Sequence, residues 1–429
     1  MIVWYNIDIY PVAALIYWKG CYYMKQLRKL AFICAVFFGL TCTFPLLPER
    51  VFEKSIAYAA DLVDSGTCGK NAVWQLSSDG TFTVSGTGEM YGLYSQFLES
   101  WEEEKSDIKT VVIGSGITNV GAQCFSGCPN LTSVTLPDTL TAIHESAFSS
   151  CKALTAIAFP DSLTSIGTMS FAMCKKLTDL SIPQSVSSIG SLAFSGTAWL
   201  EKEKEKSPFV IINHLLIYGP DTEEAVIPDG VTTVVSDAFY SRSNMTKLTI
   251  PDTVTNIEYN AFLECTGLIS VTVPDSVTDL GMQAFCKCAA LKEVTILNPV
   301  CKIYDRANTF ANDNETYSGV IKGYDGSTAE AYAAKYGYKF ESLGAVPLKG
   351  DIDGNGDVSV EDAQMTLQAY THLLAGKDSG LTAEQAIAAD VNGDGEVTVE
   401  DAQSILQYYT EALAGKNPTW DKILHPNQT

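Results

Sequence analysis

The chain has 429 residues, enough for two or three domains with separate cores, and its hydrophobic content of 46% is ordinary for globular protein. The formal net charge of −22 at pH 7 argues against nucleic acid as a partner, because that binding depends on Lys and Arg neutralising phosphates. It disfavours anionic membrane surfaces for the same reason.

Residues 1–59 read as an upstream extension followed by an export signal. Lys25, Arg28 and Lys29 precede an apolar stretch from Leu30 to Leu47, and Ala57-Tyr58-Ala59 stands before Ala60 as a small-residue cleavage site. That order works best with translation starting at Met24. No stable membrane insertion is then expected after cleavage. The rival reading is an uncleaved membrane anchor, since Glu49, Arg50, Glu53 and Lys54 make the stretch before the cleavage site long and charged.

Downstream the chain repeats itself. Ile117, Leu140, Leu163, Val186, Val231, Val254, Val277 and Val300 are separated by 23 residues, except for one step of 45 between Val186 and Val231. That step is a double unit holding Glu201-Lys-Glu-Lys-Glu-Lys206, for which we expect a hairpin-like excursion with the charged run as a solvated loop. A unit such as Leu131 to Cys151 reads Leu-x-x-Val-x-Leu-Pro-Asp-x-Leu-x-x-Ile-x-x-x-Ala-Phe-x-x-Cys. This pattern resembles the BspA-type leucine-rich repeats of bacterial surface proteins. The resemblance implies a solenoid of short parallel strands, since one strand and one turn cannot bury their own apolar face and units must stack.

Stacking aligns Phe125, Phe148, Phe171, Phe194, Phe239, Phe262 and Phe285 in one core column, and Cys128, Cys151, Cys174, Cys265 and Cys288 in another. The cysteines are expected to be buried thiols, because a spacing of 23 with no His beside it lacks a zinc-ligand pattern. Nine cysteines follow Ala59, an odd number that excludes complete pairing. Cys286 and Cys288 are not expected both to point inward, and a bridge among Cys68, Cys124, Cys286 and Cys301 stays open.

Solenoid ends need caps. Residues 60–116 are expected to cap the N-terminus, with Cys68–Trp74 and Thr81–Gly86 as a hairpin, and 117–344 to hold the repeats and a C-terminal cap with a short Ala-rich helix within Ile321–Tyr332. The strands are expected to form one sheet whose outer face carries Thr135, Ala158, Ser181, Thr249, Thr272 and Thr295. That stripe reads either as a surface chosen for β propensity or as a recognition face for a protein or a glycan, with a protein favoured by the lack of aromatics.

After a linker at 345–347 come two twelve-residue loops, Asp351 to Asp362 and Asp390 to Asp401. Positions 1, 3, 5, 7, 9 and 12 are oxygen-bearing in both: Asp351, Asp353, Asn355, Asp357, Ser359 and Asp362, then Asp390, Asn392, Asp394, Glu396, Thr398 and Asp401. Such positions supply the six to eight oxygens at about 2.3–2.6 Å that Ca²⁺ requires, and Gly356 and Gly395 stand at position 6, where the wrap turns sharply. Two Ca²⁺ ions are therefore expected. Position 12 is Asp rather than the Glu of a common EF-hand. The segments 351–377 and 390–416 are identical at 17 of 27 positions, and in each an amphipathic helix follows the loop. Val360, Ala363, Leu367, Tyr370 and Leu374 mark the first helix, and Val399, Ala402, Leu406, Tyr409 and Leu413 the second.

This duplicated loop-helix unit resembles the dockerin family over residues 348–417, leaving 418–429 as a tail. The resemblance implies a small all-α module that plugs into a cohesin domain of a cellulosome-type scaffold. The partner-contacting positions of that family fall on Val360, Glu361, Leu367 and Gln368, and in the duplicate on Val399, Glu400, Leu406 and Gln407. Their near identity implies two binding orientations related by a half-turn, and the Val-Glu pair is similar to the ruminococcal variety. The fold class expected for the whole chain is α+β multidomain.

No catalytic motif is visible. His144, His214, His372 and His425 are scattered, with no His-Glu-x-x-His or Gly-x-Ser-x-Gly pattern. Cys124 lies near the register of His144, yet a cysteine nucleophile needs a base beside the thiol and a group orienting that base, and the sequence marks neither. The expectation is a secreted, non-catalytic, scaffold-associated or cell-surface protein linked to plant polysaccharide degradation. The alternatives are a polysaccharide-degrading enzyme subunit and a membrane-anchored adhesin.

Overall fold

The structure, a computed structural model, describes residues 62–92, 101–311 and 316–424, so the expected export signal lies outside the described residues. No helix among the described residues is long and apolar enough to cross a membrane.

Three antiparallel strands open the fold: Leu62–Thr67, Asn71–Ser77 and Thr81–Thr87. In the second, Ala72, Trp74 and Leu76 alternate inward, as a half-buried strand requires. The third pairs in parallel with Thr110–Ile113, which passes the register to Ser133–Thr135. The expected hairpin is present, with one further strand before it. Leu62–Thr67 escapes sequence reading because none of its residues is buried, so it carries no apolar alternation.

Each 23-residue unit lays down two strands, not one. In the unit that begins at Leu131 these are Ser133–Thr135 and Ala142–Ile143, separated by Pro137, which lacks the N–H that would extend the first. Equivalent strands pair in parallel one unit apart, as Ala142 with Ser165 and Ser165 with Ser188. The expected single sheet is therefore two ladders on different faces. A third ladder runs through the turns, where Phe125 N donates to Ala147 O and Phe148 N to Ser170 O, both at 2.8 Å.

Inside these ladders the phenylalanines stack. Ring centroids are 5.4 Å apart for Phe125 and Phe148, 5.5 Å for Phe148 and Phe171, and 4.9 Å for Phe262 and Phe285. At the N-terminal end Phe82 meets Phe125 edge-on and Trp74 stacks on Phe82, so the cap continues the column. At the other end Phe310 extends it, enclosed by Tyr317 and Tyr332. The cysteine column forms hydrogen bonds of its own. Cys151 Sγ donates to Phe125 O at 3.1 Å and Cys174 Sγ to Phe148 O at 3.0 Å, and Cys265 and Cys288 repeat the bond with Phe239 and Phe262.

Three expectations about the repeats need correction. Val300 is 74% exposed and Cys301 fills its inward slot, so the last step of the anchor column is one residue longer than the 23-residue steps. Cys286 and Cys288 are both buried, because Lys287 between them has φ of 59° and the turn breaks strand alternation. Cys68, Cys124 and Cys301 are likewise buried, and all nine cysteines among the described residues are free thiols. The charged run is a helix rather than a loop: α1 (Ala198–Lys206) is capped by the Thr197 hydroxyl and carries Glu201–Lys204 and Glu203–Lys206 pairs. The excursion does include a hairpin, Val210–Ile212 with Leu215–Tyr218, after which Leu215 pairs with Thr233 and the ladder resumes. Gly219 follows it, where any Cβ would overlap the Phe239 ring.

The solenoid ends with strands Val320–Gly323 and Lys339–Ser342 around α2 (Thr328–Tyr336), the expected Ala-rich helix. Then come α3 (Val360–Leu374), α4 (Ala383–Ala389), α5 (Val399–Leu413) and α6 (Trp420–Leu424). Ile352, Ala363, Ala388, Ala389, Val391 and Ile405 form their core. The buried face of α3 runs through Ala363, Thr366 and Ala369, while Leu367 and Leu374, also at helical spacing, are exposed. The segment expected to be a tail supplies α6, whose Trp420 stacks on Tyr408 at 4.5 Å.

Phe148→Ala removes a ring stacked on both sides and should destabilise the protein by about 3–5 kcal/mol, read from denaturant unfolding. Burial pushes the thiols of Cys68, Cys128 and Cys301 from 9.0 up to about 12. As pH rises from about 9 towards 12 the unfolded chain loses these protons first, so stability should fall across that window. Melting temperatures measured from pH 8 to 11 check the sign.

Candidate metal centre

The two acidic loops are built alike, atom for atom in their main ties. Asp351 accepts Asn355 N at 3.0 Å through Oδ1 and Gly356 N at 2.8 Å through Oδ2. Asp390 does the same with Asp394 N at 3.2 Å and Gly395 N at 2.8 Å. Gly356 and Gly395 have φ of 97° and 85°, a left-handed conformation that side chains disfavour, so the sixth position is glycine for a backbone reason.

The twelfth position closes each loop. Asp362 Oδ1 accepts Ile352 N at 2.7 Å and Asp353 N at 3.1 Å, while Oδ2 accepts both Ser359 N at 2.8 Å and Ser359 Oγ at 2.6 Å. Asp401 repeats this with Val391, Asn392 and Thr398. Each aspartate is therefore also the third residue of a helix and completes a capping box with Ser359 or Thr398. The short side chain suits that double task. Both are fully buried, and such burial of a carboxylate is tolerable only with its oxygens occupied.

The donor set fits a hard cation. Asp351, Asp353 and Asp362 bring carboxylate oxygens within 4.8 Å of one another, the largest separation for two oxygens each about 2.4 Å from one ion. In the first loop Asn355, Asp357 and Ser359 occupy the intervening positions, with Asn355 Oδ1 now accepting Asp357 N at 2.9 Å. In the second loop Asn392, Asp394, Glu396 and Thr398 stand at the matching places, and Asp394 Oδ1 accepts Glu396 N at 2.9 Å. Having Asn at position 392 leaves this loop one carboxylate fewer than the first at that place, and its acids do not form an equally tight group. Burial raises the Asp390 carboxyl above its ordinary range, and Asp401 and Asp394 push the same way against the opposing Gly395 and Gly393 amides. A cation would relieve that crowding.

The sequence-derived contact residues fall on the outer faces of α3 and α5. Glu361, Leu367, Gln368, Glu400, Leu406 and Gln407 are exposed, and Val360 and Val399 are half-buried at the helix starts. Leu367 and Leu406 are 43% and 42% exposed, large apolar side chains at matching places on the two halves. Elsewhere, Cys124 and His144 do not form a nucleophilic pair. The thiol donates to Tyr91 O at 3.2 Å and is pushed up by burial, while His144 Nε2 faces Asn119 Nδ2 at 3.3 Å.

Comparison with known proteins agrees with this architecture. The family model described as BspA type leucine rich repeat region matches in six copies over residues 102–216 and 210–318, just over half of the chain, and the chain belongs to that family. The dockerin type I domain model matches residues 349–408, so the C-terminal helical region is a type I dockerin domain. No curated protein matches the chain. Among solved structures, a leucine-rich repeat protein from Eubacterium ventriosum is 23% identical, with a TM-score of 0.41, 67% of this chain and 86% of that one being covered. Another from Bacteroides ovatus is 19% identical, with a TM-score of 0.31 and coverage of 55% and 70%. A leucine rich cell surface protein from Faecalibacterium prausnitzii is 18% identical, with a TM-score of 0.29 and coverage of 64% and 98%.

Type I dockerin domains bind calcium and typically bind cohesins, and neither matched family is catalytic. Domains of both families are typical of extracellular or cell-surface proteins. Asp353→Ala removes an exposed carboxylate whose contacts stay within the loop, and should weaken calcium binding without disturbing the helix cap. Calorimetric titration checks it. At a thousandfold excess over the dissociation constant, calcium should stabilise the dockerin by about 4 kcal/mol, an increment that a chelator removes.

Proposed function

We propose that the protein is a secreted, non-catalytic adaptor whose dockerin, holding two Ca²⁺ ions, docks on the cohesin of a cellulosome-type scaffold. The observation carrying this reading is the matched pair of loop-helix units with their exposed Leu-Gln pairs, Leu367-Gln368 and Leu406-Gln407. Asp351, Asp353, Asn355, Asp357, Ser359 and Asp362 hold one ion, and Asp390, Asn392, Asp394, Glu396, Thr398 and Asp401 the other. Calcium supplies the charge that lets these acids converge. The chain's own part is to start α3 and α5 from the closed loops and so present Val360, Glu361, Val399 and Glu400 beside the two Leu-Gln pairs.

The solenoid is the cargo, a recognition or adhesion module for a protein or a glycan, brought to sites of plant polysaccharide degradation by the scaffold. The exposed stripe of Thr135, Ala158, Ser181, Thr249 and Thr272, with half-buried Thr295, is compatible with that role. Localisation is extracellular, on the scaffold or cell surface.

Near-identical halves predict a particular pattern of mutational response. Replacing Leu367 and Gln368 by Ala, or Leu406 and Gln407 by Ala, should each leave most cohesin affinity, because the other orientation remains. Replacing all four should weaken binding about a hundredfold or more, the scale of losing a central contact cluster. Binding of the full chain to a panel of purified cohesins provides the readout, and unchanged binding by the fourfold variant would exclude this surface.

A further inference from the structure

The double unit leaves the turn ladder open at one place. On one side Met169 N donates to Ser191 O at 2.9 Å and Phe171 N to Ala193 O at 2.8 Å. On the other, Asp237 N donates to Tyr259 O at 3.3 Å and Phe239 N to Ala261 O at 2.8 Å. Leu192 and Phe194 hold the same two positions at the seam, and their N–H groups meet no acceptor among the described residues. A cleft of about 200 Å³ lies there, and both residues line it. Two neighbouring backbone N–H groups left without carbonyls are a ready receptor for an oxyanion.

Positive charge converges on the same cleft. Arg242 is one of two arginines after residue 60, the other being Arg306, and it makes no ion pair among the described residues. In a chain of net charge −22 that is unusual placement. Its Nε donates to Gly219 O at 2.8 Å and its Nη1 to Tyr240 O at 3.0 Å, which fixes the guanidinium while leaving other donors. Lys204 reaches in from α1, and both cations lie over the Tyr218 ring, at 4.2 Å and 4.6 Å from its centroid. The Glu201 partner of Lys204 is exposed, so that pair is readily exchanged.

The remaining walls describe the body of the ligand. Leu192, Ile217 and Tyr240 give an apolar side. Asp237, whose Oδ2 accepts Ser191 Oγ at 2.5 Å, adds a carboxylate that can accept hydroxyl donors and that disfavours a dianion such as phosphate. We propose that the seam cleft binds a single-ring hydroxylated monocarboxylate, that is, a sugar acid. Its carboxylate sits on the Leu192 and Phe194 N–H groups with Arg242 and Lys204, and its hydroxyls face Asp237.

This assignment concerns the solenoid and goes beyond the docking reading. It needs no calcium, so the titrations are made on the calcium-loaded chain and repeated with chelator, and their failure leaves cohesin docking untouched. D-galacturonate, D-galactose and inorganic phosphate are titrated into the full chain by calorimetry or chemical-shift perturbation. Galacturonate should bind, with galactose and phosphate each weaker by about tenfold or more, the scale of one lost charge-assisted contact. Arg242→Gln should weaken galacturonate by a similar factor at unchanged melting temperature. If that variant melts early, Lys204→Gln, altered on the half-buried side of α1 away from Trp199 and Leu200 in sequence, decides in its place by weakening binding or not. Absence of galacturonate binding, equal binding of galactose or phosphate, or wild-type affinity in the deciding variant would overturn the assignment.

Discussion

A phenylalanine can stack on its counterpart in the next unit only if every unit advances the chain by the same distance. That constraint organises the whole solenoid. The rings of Phe125, Phe148, Phe171 and Phe194 stand 5.4–5.8 Å apart, and the flanking strands and turns are held in register around them by hydrogen bonds from each unit to the next. The buried cysteines belong to the same arrangement, since the thiols of Cys151, Cys174, Cys265 and Cys288 each donate to a phenylalanine carbonyl of the preceding unit. These thiols are explained by packing and by a second hydrogen bond to carbonyls such as Phe125 O and Phe148 O, which also accept the Cys128 and Cys151 N–H groups, without any redox chemistry.

Where the period is broken, the fold adapts locally. Between Phe194 and Phe239 the column is closed by Trp199 on one side, 4.9 Å from Phe194, and by Phe209 on the other, 6.4 Å from Phe239. The helix and hairpin of the double unit carry these aromatic plugs, and the turn on the near side keeps donors that have no following carbonyl. The place of broken symmetry is thus also the place with unspent hydrogen-bonding capacity. The C-terminal module follows a different rule, in which one aspartate per loop both closes the loop and caps a helix. Loop conformation and helix orientation are coupled through the same four carboxylate contacts, which is how an ion bound in the loop would act on the face presented by α3 and α5.

Much of this was legible in the sequence because periodicity is a direct record of stacking. The phenylalanine column, the column cysteines and the paired loops could be read from spacing alone. What spacing could not give was local backbone chirality. Lys287 at positive φ turns both Cys286 and Cys288 inward, against the alternation of a strand, and the one-residue lengthening before Cys301 moves Val300 out. The two-ladder geometry was hidden as well, since strands of two residues leave no alternation to detect. In the dockerin, small residues such as Ala363 and Ala369 form the buried face while Leu367 and Leu374 face outward, a division that hydrophobic spacing alone does not specify. The seam cleft left no sequence signal beyond the 45-residue step and a rare arginine.

The central claim is that calcium builds a docking surface on a module carried by a repeat solenoid. Affinity of the full chain for a matching cohesin, measured by calorimetry with saturating calcium and again with excess chelator, tests it most directly. The account predicts tight one-to-one binding with calcium and loss of binding, together with loss of C-terminal helicity, on chelation. Equal affinity in both conditions would contradict it.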